Sequence, residues 1–283
     1  MAIWLLFGIV FRYLRFLPSN SRSPLMTDLT LTSGFVQASE NGAVLHLTLD
    51  RADKLNAMTA SMYQDLTRAV NHLAERDDLH VLLLTGNGRA WCAGNDIGDF
   101  LNADPASRDN GTLSPAMVLV HALMALDKPV VIGVQGNATG IGTTLLLHAD
   151  LVVASDDARF QTAFINLGLV PEAGSSLLLP ALIGRQNANR LLLAGDTLTA
   201  QEAERCGLVA YRVTPDELES TAQALAQRLA EKSPAAMAMT KQLLRQSDAA
   251  IKTQIEKESV LFAERMFSED TRERFAGFLK GGK

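Results

Sequence analysis

One carboxylate stands apart in this chain. Glu172 lies in Leu169-Val170-Pro171-Glu172-Ala173-Gly174-Ser175-Ser176, within a mostly apolar, small-residue surround. Burial there would disfavour the charged form and bring the pKa toward neutrality, where a carboxyl can both take and return a proton. Two glycine turns could supply the complementary chemistry. The first is Trp91-Cys92-Ala93-Gly94-Asn95-Asp96-Ile97, shortly after an apolar run ending at Leu84, and the second is Gly140-Ile141-Gly142 at a helix start. A helix N-terminus offers unpaired N–H groups and partial positive charge. Two such donors converging on one point stabilise an oxyanion. On residue type alone the bland readings stay open. A loop acid is usually solvated, and glycines often do no more than make tight turns.

Other chemistries find little support. The second turn lacks the third glycine of a dinucleotide fingerprint, because position 145 is Leu145, and there is no GxxxxGK[ST] phosphate loop. The five histidines are scattered with no HExxH, and Cys92 and Cys206 show no CxxC or metal-ligand spacing. They read as reduced thiols. Asp96 and Asp99 are the competing carboxylates, with Asp96 expected to brace its own turn through backbone hydrogen bonds.

Composition fits a globular chain. It has 283 residues, 47% apolar and 20% charged, enough for one full core. A net charge of −5 argues against a general nucleic-acid binder. Residues 3–11 are apolar, and Arg12, Arg15 and Arg22 follow with no acid before Asp28. That run is too short to span a membrane and its charges lie on the wrong side for a secretory signal. Residues 1–28 are therefore expected to be a non-structural extension, with Met26 as the functional start. A transit peptide is the alternative, which sets cytoplasm against organelle matrix.

The elements that must position the site follow from periodicity. Val44 to Leu49 alternates as a half-buried strand, and Thr59 caps a helix with Met62, Leu66, Ala69, Val70 and Leu73 on one face. Residues 81–84, 130–134 and 151–154 read as buried parallel strands. Helices are expected up to Leu126, over 140–148, and over 215–232, 234–247, 249–267 and 269–280, with Ser233 and Ser268 as caps. Residues 102–115 read as a loop. Strand, helix and strand with short connections imply a parallel sheet packed by helices.

Several motifs together resemble the crotonase family, the enoyl-CoA hydratases and isomerases. Ala93-Gly94-Asn95-Asp96-Ile97 is similar to its first oxyanion turn and Gln135-Gly136-Asn137-Ala138-Thr139-Gly140-Ile141-Gly142 to its second. Ala194 to Ala203 and Cys206-Gly207-Leu208-Val209 match further family segments, so the likeness spans about residues 30–280. The resemblance implies an α/β crotonase (ClpP/crotonase-like) spiral of ββα units over 29–214 with a helical C-terminal trimerisation region over 215–283. It implies backbone N–H donors from Ala93 and Ile141, the latter more crowded than the family's usual glycine. Coenzyme contacts are expected at Lys54, Leu55, Ala93, Gly94, Asn95, Asp96, Ile97 and Gly140, and more weakly at Phe278 and Lys280. The coenzyme A arrives as part of an acyl-CoA thioester substrate. No separate cofactor, metal, nucleic acid or stable membrane association is expected.

The branch follows from what is missing. A hydratase of this family uses two glutamates, at positions occupied here by Thr144 and Phe164. Glu172 instead resembles the single acid of the peroxisomal-type Δ3,Δ2-enoyl-CoA isomerases, with Phe164, Leu169 and Val170 raising its pKa and Phe164 also helping to exclude water. A one-acid hydratase, an isomerase of ring-derived acyl-CoA and a non-catalytic acyl-CoA-binding scaffold are the alternatives. Met237, Met239, Leu243, Leu244, Leu261, Phe262, Met266 and Phe267 are expected either to form a trimer surface or to cover their own core.

Overall fold

The computed structural model describes residues 29–98, 113–245 and 248–279. The N-terminal segment 1–28, Asp99, most of the 102–115 loop, the side chain of Phe278 and Lys280 lie outside the described residues.

The chain opens with β1 (Val36–Asn41) and β2 (Val44–Leu49), an antiparallel hairpin. Helix α1 (Ala60–Glu75) starts on the Thr59 hydroxyl, which accepts from the Met62 N–H at 3.4 Å, and leads into β3 (Val81–Gly86). Helix α2 (Pro115–Ala125) is capped by Ser114 and followed by β4 (Val130–Val134). Strands β2, β3 and β4 then run parallel with β6 (Leu151–Ser155) and, at the far edge, β9 (Tyr211–Val213), giving the order β1-β2-β3-β4-β6-β9.

A second, smaller sheet explains how the site is built. Strand β5 (Asn137–Thr139) follows β4 after Gln135 and Gly136, and β7 (Arg159–Gln161) follows β6. Together with β8 (Leu198–Thr199) they form the order β5-β7-β8. Cys92 bridges in parallel to Ala138 beside them. Two successive turns of the chain, β4 to β5 and β6 to β7, thus lay one strand in the large sheet and the next few residues in the small one. Gly136 makes the corner: its φ is +54°, and a Cβ there would lie 2.0 Å from the Arg89 carbonyl oxygen.

The inner strands of the large sheet are buried on both faces. Leu45, Leu47, Leu82, Leu84, Val130, Ile132, Val152 and Ala154 enter the main core with α1 and α2. The alternate residues Val44, Val81, Leu83, Val131 and Val153 pack under Leu218, Ala222, Leu225 and Ala226 of a later helix, residues 218–230. This two-sided burial is why β3 and β4 read as unbroken apolar runs.

The expected helix over 140–148 is α3 (Ile141–Thr144) continued by a 3₁₀ turn, Leu145–His148. Helices α4 (Ser175–Ile183), α5 (Arg185–Leu192) and α6 (Ala200–Cys206) follow β7, the last opened by a capping box between Thr199 and Glu202. Four helices complete the chain: α7 (Leu218–Ala230), α8 (Pro234–Leu244), α9 (Asp248–Met266) and α10 (Glu269–Leu279). The Ser233 and Ser268 hydroxyls accept from the Ala236 and Thr271 N–H groups, as expected of caps. Helix α7 belongs to the packing of the sheet rather than to a separate appendage. No helix among the described residues is long and apolar enough to cross a membrane.

The apolar residues of the last helices divide. Phe262 and Met266 pack against a cluster of Phe164, Leu169 and Phe275 within the chain. Met239, Leu243, Leu244 and Leu261 face outward, with Leu243 87% and Leu244 78% exposed.

Candidate active site

The two glycine turns are laced together by backbone. The Cys92 N–H donates to the Asn137 carbonyl at 3.1 Å, and the Thr139 N–H returns to the Cys92 carbonyl at 2.9 Å. The Trp91 indole donates to the Gly142 carbonyl at 2.9 Å from a fully buried ring. Gly142 lies so close to Cys92 that a Cβ on it would fall 2.5 Å from the Cys92 carbonyl oxygen. Across the junction, a Cβ on Gly94 would lie 3.1 Å from the Thr139 carbonyl oxygen, and one on Gly140 would lie 3.9 Å from the Gly94 Cα. The first turn therefore sits directly against the start of α3.

This geometry corrects one donor. The Ala93 N–H is already used, donating to the Leu55 carbonyl at 2.9 Å, so it cannot serve an oxyanion. Among the described residues the Asn95 N–H, two positions on, has no acceptor, and neither do the N–H groups of Ile141 and Gly142. The Ile141 side chain is fully buried in the main core. Spacing alone cannot identify the donor, because the deciding fact is where the carbonyl of a left-handed Leu55, φ +53°, points.

A brace holds the first turn. The Arg51 guanidinium pairs with the Asp96 carboxylate at 2.6 Å and donates to the Ala57 carbonyl at 2.9 Å. Asp96 accepts from the Gly98 N–H at 2.8 Å through its other oxygen, the bracing role expected of it. The Tyr63 hydroxyl donates to the Asn95 side-chain oxygen. Asn56 is fully buried and donates to the Asn87 and Ala90 carbonyls at 2.9 and 2.8 Å, tying the loop of Lys54 and Leu55 to the segment before Trp91. Lys54 itself is exposed and makes no ion pair among the described residues, while Ile97 packs against the Phe164 cluster.

Glu172 is 6% exposed, and its Oε1 has no hydrogen-bond partner. Burial first, and repulsion from Glu258 second, push its carboxyl up from the ordinary 4.5 to about 8. Its charge is felt by the Cys92 thiol, itself pushed up to about 12 chiefly by burial. The chain then passes through two left-handed residues, Ala173 at φ +58° and Gly174 at φ +73°, into α4. The His148 Nε2 bonds the Ala173 carbonyl at 2.9 Å, which requires the proton on that nitrogen. Burial holds this imidazole down to about 4, so it is neutral near pH 7.

Thr144 and Phe164 are both buried. The Phe164 ring meets Phe262 edge-on at 6.4 Å between centroids, and a Cβ on Gly140 would lie 4.0 Å from it. Neither residue can act as a carboxylate. No group of three or more His, Cys, Asp or Glu among the described residues could hold a metal ion.

Around Glu172, His148 and Glu258 are marked by no motif. Glu258 is a charged residue on the buried stripe of α9, three positions after Ile255 and seven after Ile251. An acid on an apolar stripe is the one signal that could have marked it.

Comparison with known proteins agrees with this architecture. The family model described as enoyl-CoA hydratase/isomerase matches residues 39–283. The chain is 35% identical over 250 residues to the 1,2-epoxyphenylacetyl-CoA isomerase of Escherichia coli K12, covering 87% of this chain and 95% of that protein. It is 36% identical over 220 residues to rat enoyl-CoA delta isomerase 2, covering 77% of this chain and 56% of that one. The crystal structure of an enoyl-CoA hydratase/isomerase from Pseudoalteromonas atlantica T6c superposes with a TM-score of 0.82 at 35% identity, covering 88% of this chain and 98% of that one. The laced turns and the spiral that carries them are those of a crotonase fold, and the chain belongs to the enoyl-CoA hydratase/isomerase family, enzymes that act on acyl-CoA thioesters.

Proposed function

We propose that the site moves the double bond of a 3-enoyl-CoA to give a 2-enoyl-CoA, with Glu172 as the single proton shuttle. The observation that carries this reading is a buried carboxyl with a free Oε1, on a loop tied through the Ala173 carbonyl to His148 at the end of the helical segment that the second turn opens, while Thr144 and Phe164 stand where a second acid would be needed to activate water. The ionised Glu172 takes a proton from C2. The electron pair of that C–H bond forms the C1=C2 bond of an enolate, whose charge rests on the thioester oxygen between the Asn95 and Ile141 N–H groups. The enolate then returns its electrons, a C2=C3 bond forms as the C3=C4 pair takes the proton from Glu172 at C4, and the thioester is restored. No water enters. Each N–H donor contributes roughly 3 kcal/mol to holding the enolate. Lys54 and Leu55 are assigned to the coenzyme end. The exposed leucines of α8 are assigned to a trimer contact, and the place of action to the cytoplasm or an organelle matrix.

The relative with a ring-derived substrate favours a second reading, isomerisation of a ring-type acyl-CoA at the same carboxylate. Purified protein given 3-enoyl-CoA and 2-enoyl-CoA separately, with products followed by mass spectrometry, tests the first reading. Loss of the 3-enoyl isomer without 3-hydroxyacyl product is expected. Efficient hydration of the 2-enoyl thioester would overturn it, and inertness toward both with turnover of a ring-derived thioester would favour the second reading. Because the base must be ionised and its carboxyl is pushed up to about 8, kcat/KM should rise with pH through a midpoint near that value. A flat profile from pH 6 to 9 would show that Glu172 does not titrate in the rate.

A further inference from the structure

Helix α9 comes from the far end of the chain, yet one of its side chains ends beside the proposed catalytic carboxyl. Glu258 is 5% exposed. Its Oε2 accepts from the Gly174 N–H at 2.7 Å, and its Oε1 accepts from the Ser176 N–H at 2.9 Å and the Ser176 hydroxyl at 2.5 Å. Gln254, one turn earlier on the same helix, donates to the Ser176 hydroxyl at 2.8 Å. Ile251 and Ile255 close over Gly174, where an added Cβ would lie 3.2 and 3.5 Å from them. Every donor at the start of α4 that these bonds use lies within four residues of Glu172.

We propose that Glu258 is the positioning residue for Glu172, fixing the loop that carries it by binding the start of α4 through both carboxylate oxygens. The inference rests on the reading of Glu172 as the shuttle.

The two carboxyls are a pair whose surroundings differ. Three donors are aimed at Glu258, whereas the Oε1 of Glu172 has none. Burial raises both, but the donors oppose the rise at Glu258. Both oxygens of Glu258 accept, as those of an ionised carboxylate do, so the negative charge sits on Glu258 and the proton favours Glu172. Two buried acids made unequal by their hydrogen bonds are a recognised way to set a proton shuttle near neutral pH. The other titratable groups bearing on Glu172 and its loop are the Cys92 thiol from the first turn and the neutral His148 at the Ala173 carbonyl. Neither brings a charge near pH 7. Glu258 thus does two things at once: it holds the loop, and its charge keeps the shuttle basic.

The two effects separate by mutation. Glu258→Gln removes the charge and mismatches its amide against the donors, whereas Ser176→Ala removes the hydroxyl's bond to Glu258, with the one it accepts from Gln254, and leaves the charge. In Glu258→Gln, kcat should fall about tenfold, as for a modest misplacement of a reacting group. The rising limb of its kcat/KM profile should move to lower pH by roughly one unit, as expected on losing a nearby like charge. Ser176→Ala should lower kcat severalfold with KM little changed and the limb in place. Infrared difference titration of the buried protonated carboxyl, the band absent from Glu172→Gln, reads the same shift without turnover. Wild-type kcat and an unmoved band in Glu258→Gln would overturn the proposal. Should that variant not fold, a wild-type kcat in Ser176→Ala would count against positioning. Full activity of Glu172→Gln would instead remove the shuttle reading, while the band shift would still report whether Glu258 acts on Glu172.

Discussion

Glu172→Gln is expected to lower kcat for double-bond migration by roughly 10²–10⁴-fold, the range for removing a positioned acid or base. KM should change little, because the amide keeps the size and the neutral form that the pocket already holds. The same substitution should stabilise the protein, and the gain should depend on pH. The folded carboxyl is pushed up from 4.5 to about 8 by burial and by Glu258. Below the lower value both folded and unfolded chains carry the proton, and burial has no electrostatic penalty. As pH rises between the two values, the unfolded chain releases its proton and the folded one does not, so stability falls. Above about 8 the full penalty is present, on the order of a few kcal/mol for a shift of this size. Thermal denaturation of Glu172→Gln and wild type should therefore give curves that nearly coincide at pH 5 and separate by several degrees at pH 8.5. Equal separation at both values would mean that the carboxyl is not held neutral. The trade of stability for activity at one residue would then be absent.

Gly142→Ala should be nearly as damaging, though it touches no reacting group. The added Cβ would lie 2.5 Å from the Cys92 carbonyl oxygen and 2.9 Å from the Cys92 Cβ. Neither neighbour can rotate away, since the Cys92 carbonyl accepts from the Thr139 N–H and the thiol is buried. The two turns must part, and the Trp91 bond to the Gly142 carbonyl must lengthen. A displacement of about 1 Å between donors costs about 10²-fold in rate, and the overpacking costs about 1–3 kcal/mol of stability. The rate loss should fall on kcat, because the enolate needs both donors more than the ground-state thioester does. Gly277→Ala is the control: an added Cβ there meets nothing within 4 Å, and both kcat and thermal stability should hold. Unchanged kcat in Gly142→Ala would show that the N–H groups at the start of α3 do not bind the thioester oxygen.

The inner strands of the large sheet are legible because they are buried from both sides. Val81 to Leu84 alternates between the main core and the underside of α7, so the run is apolar at every position. Strands β5, β7 and β8 have three, three and two residues, too few for any period to show. They exist because they bond to one another and to Cys92, a tertiary fact. Helix α3 was expected to run on to His148. It tightens at Leu145 instead, where the last turn bends so that His148 can meet the Ala173 carbonyl.

At the site, Glu172 and both turns were legible, one by its unusual surroundings and the others by their glycines. The motif points to Ala93 as the first donor, whose N–H the structure gives to the Leu55 carbonyl, because a motif gives a turn and not the direction of each N–H. No motif marks Arg51, Tyr63 or Asn56. Their work is done through contacts with residues 31 to 45 positions away, which no local pattern records. Glu258 was hidden for the same reason, since its partners lie more than 80 residues upstream.

The two cysteines end in opposite situations. Cys92 is buried between the turns with its thiol pushed up to about 12, whereas Cys206 is partly exposed at the end of α6, its thiol donating to the Ala203 carbonyl at 3.5 Å. A thiol that neither ionises nor meets solvent does not react with alkylating reagents. Treated with a maleimide while folded, the protein should take one label, at Cys206. A fluorophore or spin probe could then be attached to the native sequence at a single known point, leaving the turns around Cys92 chemically untouched.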